Sequence, residues 1–238
     1  MVEIILQFVV KYAYSRHFCN MYLNLHTHHP TLSPGVIEVE SVYFGQQKLP
    51  SAALRSVGLH PWYLDGVDFQ QAAQWLVEEA EKPETLAIGE AGLDKACGTP
   101  WEVQVDAFRQ CVALSEKVQK PLILHCVRAY AETLAFRKAW NARLPWIYHG
   151  FNKNMPTALM LLRAGCYLSF GKDLLNANNH AAECLSGAPE GRFFLETDDA
   201  ELSIAQVYAR AAEIRGLAPT VLADHLTGVA RSLFRFPN

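Results

Sequence analysis

Two imidazoles one residue apart, His26 and His28, stand at the end of the apolar run Tyr22-Leu23-Asn24-Leu25. Alternate side chains of an extended chain project to the same side, so the pair can hold one cation together. Two neutral imidazoles make only part of a coordination shell, and the other ligands must come from distant sequence. Apolar runs elsewhere in the chain end in the same way, at His60, Glu90, His125, His149 and Asp198. Each of these residues taken alone reads as a hydrogen-bonded core group or a cap. Converging on one rim, they would leave buried polar atoms unsatisfied unless a cation were present. Four of these five histidines with the two carboxylates already exceed what one tetrahedral ion needs and suit two divalent ions with a bridging carboxylate. The mixed nitrogen and oxygen set accepts Zn²⁺, Mn²⁺, Ni²⁺ or Mg²⁺ and does not choose among them. The sequence contains no Gly-rich phosphate loop, no Gly-x-Ser-x-Gly elbow and no dinucleotide fingerprint. Hydrolysis by a metal-activated water is the chemistry these residues suit.

Positioning such a rim requires strands whose ends meet. Runs rich in apolar and β-branched residues predict strands at 22–28, 36–44, 53–59, 86–90, 121–125, 146–149, 167–171 and 193–197. Helical spacing predicts helices at 68–81, 101–119, 130–140, 155–164, 180–185, 204–215 and 221–236, the first capped by Asp68. Mostly apolar strands alternating with helices signal a parallel sheet covered on its outer face. Eight such units close into a (β/α)8 TIM barrel of the α/β class. The links after the first and second strands are too short for helices, so the barrel is expected to be irregular there. A doubly wound open sheet is the alternative.

The chain has 238 residues, half of them apolar, 19% charged, with a net charge of -3. That composition is of a globular chain with a sizeable core, and it gives no bulk attraction to nucleic acid. The six cysteines are scattered without a Cys-x-x-Cys pair, as reduced thiols of a cytoplasmic protein would be. No apolar run reaches the roughly 20 residues of a membrane span. Residues 1–20 read as an N-terminal extension outside the fold, with Met21 directly before the first strand and a single domain over 21–238.

His26-Thr27-His28, Val57-Gly58-Leu59-His60-Pro61, Ala87-Ile88-Gly89-Glu90-Ala91-Gly92-Leu93-Asp94, Pro121-Leu122-Ile123-Leu124-His125-Cys126, His149-Gly150-Phe151, Tyr167-Leu168-Ser169-Phe170-Gly171 and Leu195-Glu196-Thr197-Asp198 resemble, in order, the successive motifs of the TatD family. The resemblance covers about 21–215. It implies a metal-dependent hydrolase of the amidohydrolase-like kind on an irregular barrel, with deoxyribonuclease activity that includes 3′ to 5′ exonuclease action. By that resemblance His26, His28 and Asp198 hold one ion, His125 and His149 the second, and Glu90 bridges them. Asp198 would orient or deprotonate the nucleophile, and His60 would contact a phosphate or support the ligands.

Arg128, three residues after His125, is a candidate phosphate contact, and Trp62 with Tyr63 could stack on a terminal base. The expected cofactors are two divalent ions, Mg²⁺, Mn²⁺ or Zn²⁺, and the expected partner is a DNA 3′ end, with no membrane and no protein partner. Some positions depart from the family pattern. Asn24 replaces an acidic residue before the His pair, Gly150 and Asn152 alter the motif after His149, Lys95 replaces an aromatic, and no proline follows Asp199-Ala200-Glu201. All six ligand positions are kept, so the departures bear on substrate. A metal-dependent hydrolase of a small amide, ester or phosphoester is the alternative function, and a non-catalytic barrel is a third.

Overall fold

The computed structural model describes residues 21–46, 51–52, 54–176 and 180–237. The extension expected at 1–20 lies outside them. Eight strands form one parallel sheet in sequence order: β1 (Tyr22–Thr27), β2 (Val36–Tyr43), β3 (Leu54–Gly58), β4 (Thr85–Asp94), β5 (Leu122–Val127), β6 (Trp146–Tyr148), β7 (Tyr167–Phe170) and β8 (Phe193–Leu195). Among the described residues seven α-helices accompany them: α1 (Phe69–Glu81), α2 (Trp101–Val118), α3 (Tyr130–Ala139), α4 (Met155–Arg163), α5 (Ala181–Gly187), α6 (Ile204–Arg215) and α7 (Pro219–Leu233). No helix connects β1 to β2 or β2 to β3 among the described residues, as the short links require.

The ring closes where β8 meets β1. The Asp198 amide donates to the His26 carbonyl at 3.0 Å, and the His28 amide to the Asp198 carbonyl at 3.0 Å. Asn24 ties the same seam: its side chain accepts the Thr197 amide at 3.0 Å and donates to the Thr197 hydroxyl at 2.9 Å. An open sheet is thereby excluded.

Two apolar layers hold the barrel. The outer one lies between sheet and helices, with Leu122, Leu124, Trp146 and Tyr148 packed near Phe108 of α2. The inner one joins Leu23, Leu25, Ile37, Val39, Leu54, Leu86, Ile123, Ile147 and Phe194. Side chains from strands all round a ring can meet only inside it, so this layer fills the barrel, as in other parallel barrels. Ala230 and Phe234, at the end of the chain, join it and close the floor.

Differences from the expected elements fall at the ends. β4 runs four residues past Glu90 to Asp94, and β8 stops before Glu196 and Thr197. The last helix begins at Pro219, whose fixed φ suits a first turn, and ends at Leu233. The extension of β4 depends on glycine. A Cβ on Gly92 (φ +151) would lie 2.0 Å from the His125 carbonyl oxygen, and one on Gly89 (φ +140) 2.3 Å from that of Ile123. Only residues without a side chain allow β4 to lie this close to β5. The five described cysteines are free thiols. No described helix is long and apolar enough to cross a membrane.

Candidate metal centre

The register of β1 on β2 shifts between Asn24 and Thr27, and that of β4 on β5 between Ile88 and Ala91. Such irregularities re-aim side chains, and these two flank His26 and Glu90. Both residues are thereby brought to the mouth of the barrel, where His26 is fully buried and Glu90 nearly so. Asp198 follows β8 with φ +55, a left-handed turn that aspartate tolerates better than most residues.

Glu90 stands at the centre. Its Oε2 lies 3.3 Å from Nε2 of His26 and 3.4 Å from Nε2 of His28, and Oδ1 of Asp198 lies 3.5 and 3.6 Å from the same two nitrogens. A tetrahedron with bonds of about 2.1 Å, usual for zinc with nitrogen or oxygen, has edges of about 3.4 Å. These four separations are of the length that ligands to a common cation have, and His26, His28 and Asp198 form a group that could hold one. Neither nitrogen of His26 nor Oε2 of Glu90 has a hydrogen-bond partner. Buried polar atoms left without partners are costly, and a cation between Nε2 of His26 and Oε2 of Glu90 would satisfy those two.

The other carboxylate oxygen, Oε1, faces three more histidines: Nε2 of His149 at 2.6 Å, Nδ1 of His125 at 2.8 Å and Nε2 of His60 at 3.1 Å. The outer nitrogen of His125 is hydrogen-bonded to an acid, and that of His149 faces one without a hydrogen bond. Nε2 of His125 lies 3.0 Å from Oδ2 of Asp94, and Nδ1 of His149 lies 3.6 Å from Oε1 of Glu196. Glu196 is held in turn by the Gly150 amide at 2.6 Å and by the Ser169 hydroxyl. A carboxylate behind an imidazole fixes its tautomer and raises its basicity, the usual arrangement behind metal-bound histidine. Three groups could hold an ion: His26, His28 and Asp198; His26, Glu90 and His149; and His60, Glu90 and His125.

The charges follow from this packing. Burial opposes a positive His26 and His149 repels it, yet Asp198 and Glu90 raise its pKa to about 9. His149 is raised well above the ordinary histidine value: desolvation opposes the charge, and Glu90 and Glu196 overcome it. Burial pulls the other way on Glu90, but the surrounding histidines hold its carboxyl well below the usual range. Asp198 is lowered despite burial, chiefly by His26 and then His149. Burial pushes His60 down, against the opposing pull of Glu90.

All six ligand positions expected from sequence meet here, and His60 joins them. Trp62 and Tyr63 stand at the rim, 54% and 44% exposed, with Tyr63 stacked on Tyr43 at 4.2 Å between ring centroids. They line a cavity of about 820 Å³ above Glu90. Arg128 is not brought in: it is exposed, one residue past the end of β5, and does not line the cavity. The cavity has no lysine or arginine among its described lining residues.

Asp94, Glu196 and the Asn24–Thr197 pair escaped the sequence reading as site residues. The first two had a signal. Asp94 lies in the run Glu90-Ala91-Gly92-Leu93-Asp94, and Glu196 stands two residues before Asp198. The Asn24 contact, across 173 residues, had none.

A family model described as TatD related DNase matches residues 38–235. The chain is 27% identical over 197 residues to YabD of Bacillus subtilis (strain 168), an uncharacterized metal-dependent hydrolase, over 76% of each chain. It is 29% identical over 220 residues to the 3′-5′ ssDNA/RNA exonuclease TatD of Erwinia billingiae (strain Eb661), over 80% of this chain and 84% of that one. The crystal structure of YjjV, a TatD homologue from Escherichia coli K12, matches with a TM-score of 0.74 at 21% identity, over 91% of this chain and 98% of that one. At that identity it speaks for the barrel alone.

Proposed function

The chain belongs to the TatD-related DNase family, and from that premise we propose that it is a divalent-metal-dependent hydrolase that shortens single-stranded DNA from its 3′ end. The observation that carries this reading is the division of Glu90, one oxygen toward His26 and His28 and the other toward His125 and His149. His26, His28, Asp198 and Glu90 would hold one ion, and His125, His149 and Glu90 a second. When bound, two divalent ions lower the pKa of a water and polarise the phosphoryl group.

The protein's own groups do the rest. Asp198, held ionised by its histidine neighbours, accepts a hydrogen bond from the attacking water, orients it and takes its proton. Asp94, hydrogen-bonded to Nε2 of His125, turns Nδ1 of that ring toward the centre, and Glu196 lies behind His149. Trp62 and Tyr63 offer ring faces to the terminal base. No lysine or arginine among the described residues lines the cavity to meet the phosphates, so affinity depends on the metal centre and should depend weakly on salt.

The test is hydrolysis of a labelled single-stranded DNA, with the matching RNA in parallel, under added Mg²⁺, Mn²⁺ or Zn²⁺. Metal-dependent shortening from the 3′ end that is lost in a folded Glu90→Ala variant is expected. Intact strands under every metal, in a protein that still retains two ions, would overturn the nuclease reading in favour of a small amide, ester or phosphoester substrate.

A further inference from the structure

An acid stands behind each of His125 and His149, but the two acids are held from different places. Glu196, behind His149, is fully buried, and its oxygens are taken by the Gly150 amide and the Ser169 hydroxyl. Asp94, behind His125, is held from the rim. Its Oδ1 accepts the Ala96 amide at 2.7 Å, and its Oδ2 lies 3.0 Å from Nε2 of His125. The same Oδ2 accepts the indole N–H of Trp62 at 2.6 Å. One oxygen thus joins a side chain 54% exposed at the mouth to a ring at the centre. The backbones on both sides are fixed. The Trp62 amide donates to Nδ1 of His60 at 3.1 Å, which caps the tight turn Pro61–Tyr63. The Asp94 amide donates to Oε1 of Gln104 at 2.7 Å, and the Asp94 carbonyl accepts Nε2 of Gln104 at 3.0 Å. What remains to be set is the turn of the Asp94 carboxylate.

We propose that Trp62 is a positioning residue of the second metal site: through Asp94 its indole N–H holds His125 in the tautomer and orientation in which Nδ1 presents a lone pair to the ion. This rests on the metal-hydrolase reading above. A carboxylate oxygen accepts two hydrogen bonds, and an ionised carboxylate only accepts, so the facing His125 nitrogen carries the proton. With the indole on one lone pair of Oδ2, the other is aimed at His125. Without the indole only Oδ1 is anchored, and Oδ2 can turn away from the ring it orients. The indole also lies T-shaped against the His125 ring, 5.3 Å between centroids at 76°, so the two rings are in register through both contacts. Stacking on a base uses the face of Trp62, whereas positioning uses its N–H edge. One side chain therefore serves the substrate and the second ion together, and their binding is linked through it.

The experiment uses the full chain and Zn²⁺, with Trp62→Phe, which keeps an aromatic face and loses the N–H, Asp94→Asn, and the double variant, all checked for folding by circular dichroism. In a chelator-competition titration Trp62→Phe should weaken one ion about tenfold, the lower end of the 10–100-fold carried by the groups that support metal-bound histidine, and leave the other within about threefold. In the Asp94→Asn background Trp62→Phe should change neither ion, because the link is already cut, and the double-mutant cycle measures this. In ¹H–¹⁵N spectra the indole N–H signal missing from Trp62→Phe should lie downfield of the other indoles, as a short charge-assisted bond requires. It should move in step with the His125 ring signals as Zn²⁺ is added. Where DNA is cleaved, the kcat lost in Trp62→Phe should return as metal is raised, whereas a loss from stacking alone would not depend on metal. Equal affinities for both ions in Trp62→Phe and wild type, a weakening that persists undiminished in Asp94→Asn, or an indole signal indifferent to metal would each overturn the proposal. Uptake of fewer than two ions by the wild-type protein would overturn the two-ion reading and the proposal together. Intact DNA in a protein whose titrations are coupled as expected would refute only the nuclease reading.

Discussion

At the floor of the barrel Leu23, Ile37 and Phe234 are 1%, 4% and 4% exposed, and at the mouth His26 and Glu90 are 0% and 2% exposed. Burial is equal, but its physical meaning is opposite. The floor side chains gain by leaving water, and their neighbours need only fill space. The mouth side chains lose hydration and recover it only through partners, and two nitrogens of His26 and one oxygen of Glu90 have none. The same fold thus carries a region that stabilises it and a region kept incomplete for a ligand. In barrel enzymes the two ends divide in this way.

The comparison is broken most severely at Asp198. Asp198→Asn keeps the shape and removes the proton acceptor, so kcat for strand hydrolysis should fall by about 10²–10⁴ in a variant that keeps its fold by circular dichroism. At the floor the order reverses. Phe234→Ala, which opens a cavity beside Phe194, should cost about 3–5 kcal/mol of stability and leave kcat per folded molecule unchanged, as denaturant titration with an activity assay will show. An equal loss of kcat in Phe234→Ala would mean that the two ends are mechanically coupled.

The pH response sharpens the contrast. In the metal-free protein the His26 pKa is raised from 6.5 to about 9, so its contribution to stability is full below about 6.5 and is lost as pH rises through 9. Glu90 and Asp198 are depressed, and their contributions are lost as pH falls into the acid range. Metal binding displaces the histidine protons, so the metal-loaded protein should gain stability over the interval in which the metal-free protein loses it. Calorimetric melting temperatures between pH 6 and 9.5, with metal and with chelator, should diverge; parallel curves would mean that His26 holds no proton for a metal to displace.

A smaller effect is expected at the seam. Asn24→Ala removes one of two acceptors of the Thr197 amide, the other being the His26 carbonyl at 3.3 Å, and should cost about 0.5–1.5 kcal/mol, with a secondary loss of metal affinity because the seam sets the distance between Asp198 and the His pair. Metal titration alongside thermal unfolding measures both. The smallest effect concerns salt: affinity for single-stranded DNA should change little between 50 and 200 mM, since few lysine or arginine contacts are available to release counterions.

Much of this molecule was legible along the chain because the relevant signals are local. Strands of a parallel barrel are apolar over short runs, and a histidine or carboxylate at the end of six of the eight is visible without any tertiary information. Strand ends were less legible, since β4 continues past Glu90 only because Gly89 and Gly92 let it lie against β5, and that contact is between strands. Arg128 was named for its distance from His125 along the chain, but a left-handed residue past the strand end (φ +57) leaves it outside the cavity.

The sequence by itself determined the alternation of strands and helices, the ligand types and their order, and with them the chemistry available at the mouth. The tertiary structure alone decided which oxygen of Glu90 faces which histidine. It also decided that Asp94 and Glu196 stand behind two of the rings while a backbone amide stands behind the third, and that Asn24 and Thr197 close the ring. The physical reason is that residue type fixes what an atom can donate or accept, whereas its protonation and partner depend on atoms that folding brings to within about 3 Å from anywhere in the chain.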